Sequence, residues 1–211
     1  MSAHGEELWI IGTGGHARVV LDLARACGFA VSGFIEPRPG PDAPRFAWGL
    51  PVLAGLAALR DLGAPLVAVA IGDNSLRRET TAEAVSLGAR PATLVHPSAI
   101  REASASIGDG AQVCLGAILG ADAAIGPGAL INSGAIVEHE CRVGAFAHIC
   151  PGVRLAGRVA VGDGAQVGIG ATVIQNIAIG AHAVVGAGAV VLEAVAAGTT
   201  VVGVPARPLK A

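Results

Sequence analysis

The chain has 211 residues, of which 14% are charged, and a formal net charge of −2. That balance removes any general electrostatic case for nucleic acid or an anionic membrane surface as a partner. With 31 glycines, 3% aromatics and no tyrosine, the interior must be built from Ala, Val, Ile and Leu.

The opening MSAHGEELW has no basic segment followed by an apolar one, so no secretory signal is expected there. "LWII" at 8–11 reads as a strand. Residues 15–27 read as a helix with Val19, Val20, Leu23 and Ala24 on one apolar face. Between them, Gly12, Gly14 and Ala17 fit the G-x-G-x-x-G/A fingerprint of dinucleotide-binding units. Glu36 follows this fingerprint at close to the spacing, roughly 20 residues, at which such folds place a ribose-binding acid. "AVSGFI" reads as a second strand, and the Pro-rich "EPRPGPDAP" after it as a loop. "PLVAVAI" reads as a buried strand. "NSLRRETTAEAVSLG" reads as a helix capped by Asn74 or Ser75 and stopped at Gly88.

Residues 7–94 are therefore expected to form a small parallel α/β unit. The fingerprint taken alone suggests an NAD-dependent dehydrogenase. A unit of about 90 residues, however, matches one mononucleotide-binding half of a doubly wound fold, not the pair that holds a dinucleotide. Backbone N–H groups at the helix start, around Gly14, Gly15 and His16, can hold a phosphate. Gly72 in "AIGDN" follows another strand, at the carboxyl edge where α/β sheets bind ligands.

From Ile107 the period changes. The chain reads as fifteen hexads, from IGDGAQ and VCLGAI through VEHECR, VGAFAH and LAGRVA to VLEAVA. The first position is always Ile, Val or Leu, and the fifth is Ala, Cys, Val or Ile. This periodicity signals a parallel β-helix whose stacked coils bury one another's apolar edges. One large and one small residue per hexad face inward, and the glycine-rich second to fourth positions turn the chain. The hexad "VEHECR" alone carries three ionisable residues in its turn, Glu138, His139 and Glu140. A carboxylate beside an imidazole can orient it and raise its basicity.

Cys27, Cys114, Cys141 and Cys150 form no C-x-x-C pair and no metal-ligand spacing, which points to free thiols in a reducing cytoplasm and to no bound metal. The intervals between His139, His148 and His182 are not whole multiples of three hexads, so these residues do not stack as converging zinc ligands would. Mean hydropathy is +0.63, yet every apolar run is interrupted well short of the roughly 20 residues of a membrane span.

The hexads resemble those of the left-handed β-helix acyltransferases, in which three hexads make one triangular coil, and the ending "VVGVPARPLK" is similar to that family's usual close. "IIGTGGHARVV", "AIGDN", "HPSA" and "IVEHECRVGAFAHI" narrow the resemblance to the bacterial acetyltransferases of nucleotide-linked amino sugars, the UDP-bacillosamine and GDP-perosamine N-acetyltransferases, and to the neighbouring sialic acid O-acetyltransferases. The resemblance implies a Rossmann-like half domain over 1–94 that binds the nucleotide-sugar. It implies a left-handed parallel β-helix over 95–211 that binds acetyl-CoA, and a homotrimer with His139 at a subunit boundary. His139 would be the general base, Glu140 its support, and His148 a contact of acetyl-CoA. Ile169 and Ala187 would meet CoA through backbone groups, and Gly14, Gly15 and His16 would form the nucleotide-sugar loop. The family often has an acidic pair after the second strand, where Glu36-Pro37 stands here; an acid there can read uracil or guanine donors. With three hexads per coil, His139 stacks on Gly157, whose backbone N–H is a candidate oxyanion donor. The implied reaction is acetyl transfer to the 4-amino group of a nucleotide-linked 4-amino-4,6-dideoxy sugar. O-acetylation of a sugar hydroxyl is the alternative.

Overall fold

The computed structural model describes residues 5–209, so Lys210 of the closing motif lies outside it. The chain divides into two compact units, Met1–Leu94 and Val95–Ala211.

In the first unit, β1 (Glu7–Ile11) leads through a glycine turn into α1 (Gly15–Ala26), and β2 (Ala30–Glu36) pairs parallel to β1. A hairpin that the Pro-rich sequence conceals follows, β3 (Phe46–Ala47) and β4 (Leu50–Ala54), then a 3-10 turn over Leu56–Leu62. β5 (Leu66–Val69), α2 (Asn74–Ser86) and β6 (Arg90–Pro91) complete a sheet of order β3-β4-β2-β1-β5-β6. Because β2 and β5 flank β1 on opposite sides, the strand order reverses there. The crevice at their carboxyl ends is the place where such sheets take ligands.

Two sequence expectations need correction. Val19 is exposed, and the buried stripe of α1 is Ala17, Val20, Leu21, Leu23 and Ala24. Positions 17, 20, 21 and 24 follow the i, i+3, i+4, i+7 spacing of a helix laid on a sheet, and Val19 falls off it. The cap of α2 is Asp73, not Asn74 or Ser75: its carboxylate accepts from the Leu76 N–H at 2.7 Å.

The second unit is a left-handed β-helix of two-residue strands, with each strand paired parallel to its equivalent in the next coil, as Ile118 is with Ile136. Three faces result. The first presents Gln112, Leu130, His148, Gln166 and Val184; the second Ile118, Ile136, Arg154, Thr172 and Val190; the third Ala124, Arg142, Ala160 and Ala178. Hexad first and fifth positions such as Val137, Cys141, Val167 and Ala171 fill a continuous buried core. Each such aliphatic contributes roughly 1.5–3 kcal/mol of burial, most of it offset by ordering the backbone. Stacking begins before Ile107, at Leu94–Val95 and Ile100–Arg101. The antiparallel strands Thr200–Val202 and Arg207–Pro208 close the other end.

Candidate active site

In the first unit, a cleft of about 450 Å3 gathers Gly14, Gly15, His16, Glu36 and Gly72, all five residues singled out from the sequence. Gly14 caps α1 with extended backbone, so N–H groups of the first helical turn face the cleft mouth. A Cβ at Gly14, Gly15 or Gly72 would meet no atom of the chain within 4 Å, and none of the three has a positive φ. The chain's own packing does not require glycine at these points. The missing side chains leave the backbone here open to close approach from the cleft. Gly12 differs: its φ is 113° and a Cβ would lie 2.9 Å from the Ala70 carbonyl oxygen. Glu36 ends β2 with both carboxylate oxygens engaged, one by the Thr13 hydroxyl and the other by the Arg38 N–H at 3.3 Å.

Arg77 was not anticipated from the sequence. Its guanidinium is buried and donates to the Ile71 and Gly72 carbonyls at 3.1 and 3.2 Å and to Asn74 Oδ1 at 2.9 Å. It thereby fixes the turn that carries Gly72. Burial pushes its pKa down to about 10 against the opposing effect of Asp73. The available signal was the polar stripe Asn74, Arg77, Thr80 on the inner face of α2.

In the second unit, the turn after Ile136–Val137 carries Glu138, His139 and Glu140 at the corner between the second and third faces. His139 Nδ1 lies 3.1 Å from Glu140 Oε2. With Glu140 ionised, Nδ1–H donates to the carboxylate and Nε2 is left with its lone pair. Glu140 Oε2 also accepts from Arg158 Nε at 3.0 Å, one coil further on. Hydrogen bonds from His139 and then Arg158, with the charge of Arg158, hold the Glu140 carboxyl below its usual range. Gly157 is buried under the imidazole: a Cβ there would lie 2.5 Å from His139 Cε1 and closer still to Nε2. Its φ is not left-handed, so the close approach of the ring, not the turn, demands glycine.

His148 does not join this group. It sits on the first face, across the triangular coil from the His139 corner, with Nε2 3.2 Å from the Asn132 side-chain amide. Asn132 went unnoticed in the sequence. Ile169 and Ala187 occupy the corner between the first and second faces, and both are exposed, Ile169 at 61%. His182 lies at the remaining corner, its ring over Gly164 and solvent-exposed. Among the described residues, no three His, Cys, Asp or Glu gather as a metal site, and no helix is long and apolar enough to cross a membrane. The four cysteines are free thiols.

Comparison with known proteins finds relatives over nearly the whole chain. The PglD N-terminal domain family matches residues 7–84. A histidine-to-asparagine mutant of perosamine N-acetyltransferase from Caulobacter crescentus, solved with CoA and GDP-perosamine, superposes with a TM-score of 0.92 at 40% identity, covering 97% of each chain. The acetyltransferase domain of PglB from Neisseria gonorrhoeae, solved with acetyl coenzyme A, gives 0.89 at 35% identity over 97% of this chain and all of that one. WeeI from Acinetobacter baumannii gives 0.83 at 27% identity, again over 97% of this chain. No curated protein matches by sequence.

Proposed function

We infer the reaction from one premise: the chain belongs to the hexapeptide-repeat nucleotide-sugar acetyltransferases, and it is an acetyl-CoA-dependent sugar N-acetyltransferase. Its acceptor is a nucleotide-linked amino sugar, of the 4-amino-4,6-dideoxy class that GDP-perosamine represents. The comparisons favour the amine over a sugar hydroxyl, because the relatives with bound acceptor are N-acetyltransferases.

The observation that carries the mechanism is His139 held between Glu140 and Gly157. The amine nitrogen attacks the thioester carbonyl carbon, and His139 Nε2 takes the proton that the amine loses. The C–S bond then breaks, and the proton returns to the sulfur of CoA. Glu140 holds the imidazole in the tautomer that leaves Nε2 free and balances the imidazolium that forms. The Gly157 N–H serves the thioester oxygen as it gains charge. That a histidine is the residue altered in the solved perosamine N-acetyltransferase variants supports this reading. In the first unit, the α1 N-terminus with Gly14, Gly15 and His16 takes the diphosphate, and Glu36 reads the nucleoside.

Acetyl-CoA runs along the first face and its corner, past His148, Ile169 and Ala187. The glycine at every fourth position of that corner supports this route, since no side chain projects from those positions toward an extended pantetheine arm beside the exposed Leu115 and Ile169. His139 and His148 lie on opposite sides of one coil, so both serve one reaction only if neighbouring copies pack corner to face. A homotrimer supplies that arrangement. The free thiols and the use of acetyl-CoA support a cytoplasmic enzyme.

Replacing His139 with Asn should lower kcat by about 10²- to 10⁴-fold with an unchanged melting temperature. Near-wild-type turnover of GDP-perosamine by that variant would remove the proposed base.

A further inference from the structure

We propose that Arg158 is a positioning residue for the base, its guanidinium clamping the Glu140 carboxylate that orients His139. The inference rests on the reading of His139 given above and adds a residue to it.

The geometry comes first. A single oxygen, Glu140 Oε2, accepts from His139 Nδ1 at 3.1 Å and from Arg158 Nε at 3.0 Å. Two donors on one oxygen fix the rotation of the carboxylate. Without the second, a carboxylate that is 48% exposed turns freely into water, and the imidazole loses its fixed partner. The clamp comes from the next coil, where Arg158 stacks on Glu140, and the Arg158 N–H donates to the His139 carbonyl at 2.9 Å. The backbone ladder therefore holds the guanidinium in register with the base.

The backbone shows which replacements position 158 accepts. Arg158 has φ 61° and Glu140 φ 58°, in the left-handed region that disfavours every residue except glycine and, less strongly, Asn and Asp. The fourth positions of the corner between the first and second faces meet the same demand with Gly116, Gly134, Gly152, Gly170 and Gly188. Glycine at 158 would turn the chain with less strain and keep the N–H bond to His139. An exposed Arg–Glu pair by itself contributes little to stability. Phe146 and His182 hold the same backbone at the third corner, so the turn tolerates a side chain; what distinguishes Arg158 is that its guanidinium touches Glu140.

The experiment is made in the full-length enzyme with GDP-perosamine and acetyl-CoA as substrates. Arg158→Gly and Arg158→Asn both suit a left-handed backbone, so neither depends on the other folding. The expected result is a kcat lower by about tenfold, the loss of one charge-assisted hydrogen bond. KM for both substrates should stay within about twofold, and the Arg158→Gly melting temperature should be equal or higher. Millimolar ethylguanidinium should restore much of the lost rate in Arg158→Gly, where ethylammonium or sodium chloride should not. In a His139→Asn background, Arg158→Gly should cause no further loss, since it acts through the missing ring. Wild-type kcat in both Arg158 variants, with His139→Asn inactive, overturns the clamp and leaves the base standing. A fall in kcat that tracks a fall in melting temperature and that ethylguanidinium does not relieve also overturns it. Turnover by His139→Asn overturns the reading beneath.

Discussion

At one corner of the β-helix the fourth hexad position is Gly116, Gly134, Gly152, Gly170 and Gly188 in successive coils. At the corner that carries His139 it is Asp122, Glu140, Arg158 and Asn176. The backbone is the same at both, with φ between 58° and 68° throughout. The coil sets the turn and leaves the residue free. Where glycine is kept, no side chain projects from the fourth position, and the exposed groups are apolar ones such as Leu115 and Ile169. Where Glu140 and Arg158 replace it, the left-handed backbone is kept and their side chains meet each other and His139. A turn residue in a solenoid thus becomes informative when compared with its equivalents at the other corners.

The largest expected effect breaks both corners alike. Val167 is an inward first position with no exposure, shared by the core behind every turn. Val167→Asp buries a carboxylate among aliphatics, at a cost of several kcal/mol or loss of the fold. Thermal melting followed by circular dichroism reads this directly. An unchanged midpoint would mean that the inward register is wrong, and the comparison of corners with it.

Next come two glycine-to-alanine changes that separate the corners. At Gly157 the backbone is not left-handed, but the new Cβ would lie 2.5 Å from His139 Cε1. The ring must move, and kcat should fall by about 100-fold with little change in stability. At Gly152 the φ is 68° and a Cβ would meet nothing within 4 Å. Gly152→Ala should cost about 1 kcal/mol of stability through backbone strain alone. Paired kcat and melting measurements test both. Equal effects on both readouts at the two sites would erase the distinction.

Much of this was legible in the sequence because aliphatic residues at first positions and small ones at fifth positions have no other use at that period. The hexads hid their own start: at Arg101 the first position holds an exposed arginine, suited to an end coil but invisible to an apolar pattern. In the α/β unit, the Pro-rich run masked β3 and β4, which are short and follow a long loop. Val19 and Leu21 exchanged roles because a helix on a sheet selects one narrow stripe out of several apolar positions. The grouping of His139 with Glu140 and Gly157 was readable from "VEHECR" and from stepping three hexads onward from His139. Arg158 was not, since "LAGRVA" is an ordinary hexad until its fourth position is stacked on Glu140. The separation of His139 and His148 was present in their spacing, which is half of a three-hexad coil.

The smallest effect concerns the charge at the His139 corner. The usual carboxyl value of 4.5 for Glu140 is lowered in the fold, chiefly by the hydrogen bond from His139 and then by Arg158. A carboxylate with a depressed folded value stabilises the fold above its unfolded value, and that contribution is lost as pH falls through the folded value. Because Glu140 is exposed to solvent, the contribution is small and screened by salt. The melting temperature of wild type should therefore exceed that of Glu140→Gln slightly at pH 7, and the gap should close on acidification below the ordinary carboxylate range. Gly152→Ala changes no ionisable group, so it should differ from wild type by the same amount at both pH values. A Glu140→Gln gap that persists unchanged at low pH would mean that the carboxylate charge, and with it the triad of His139, Glu140 and Arg158, contributes nothing at this corner.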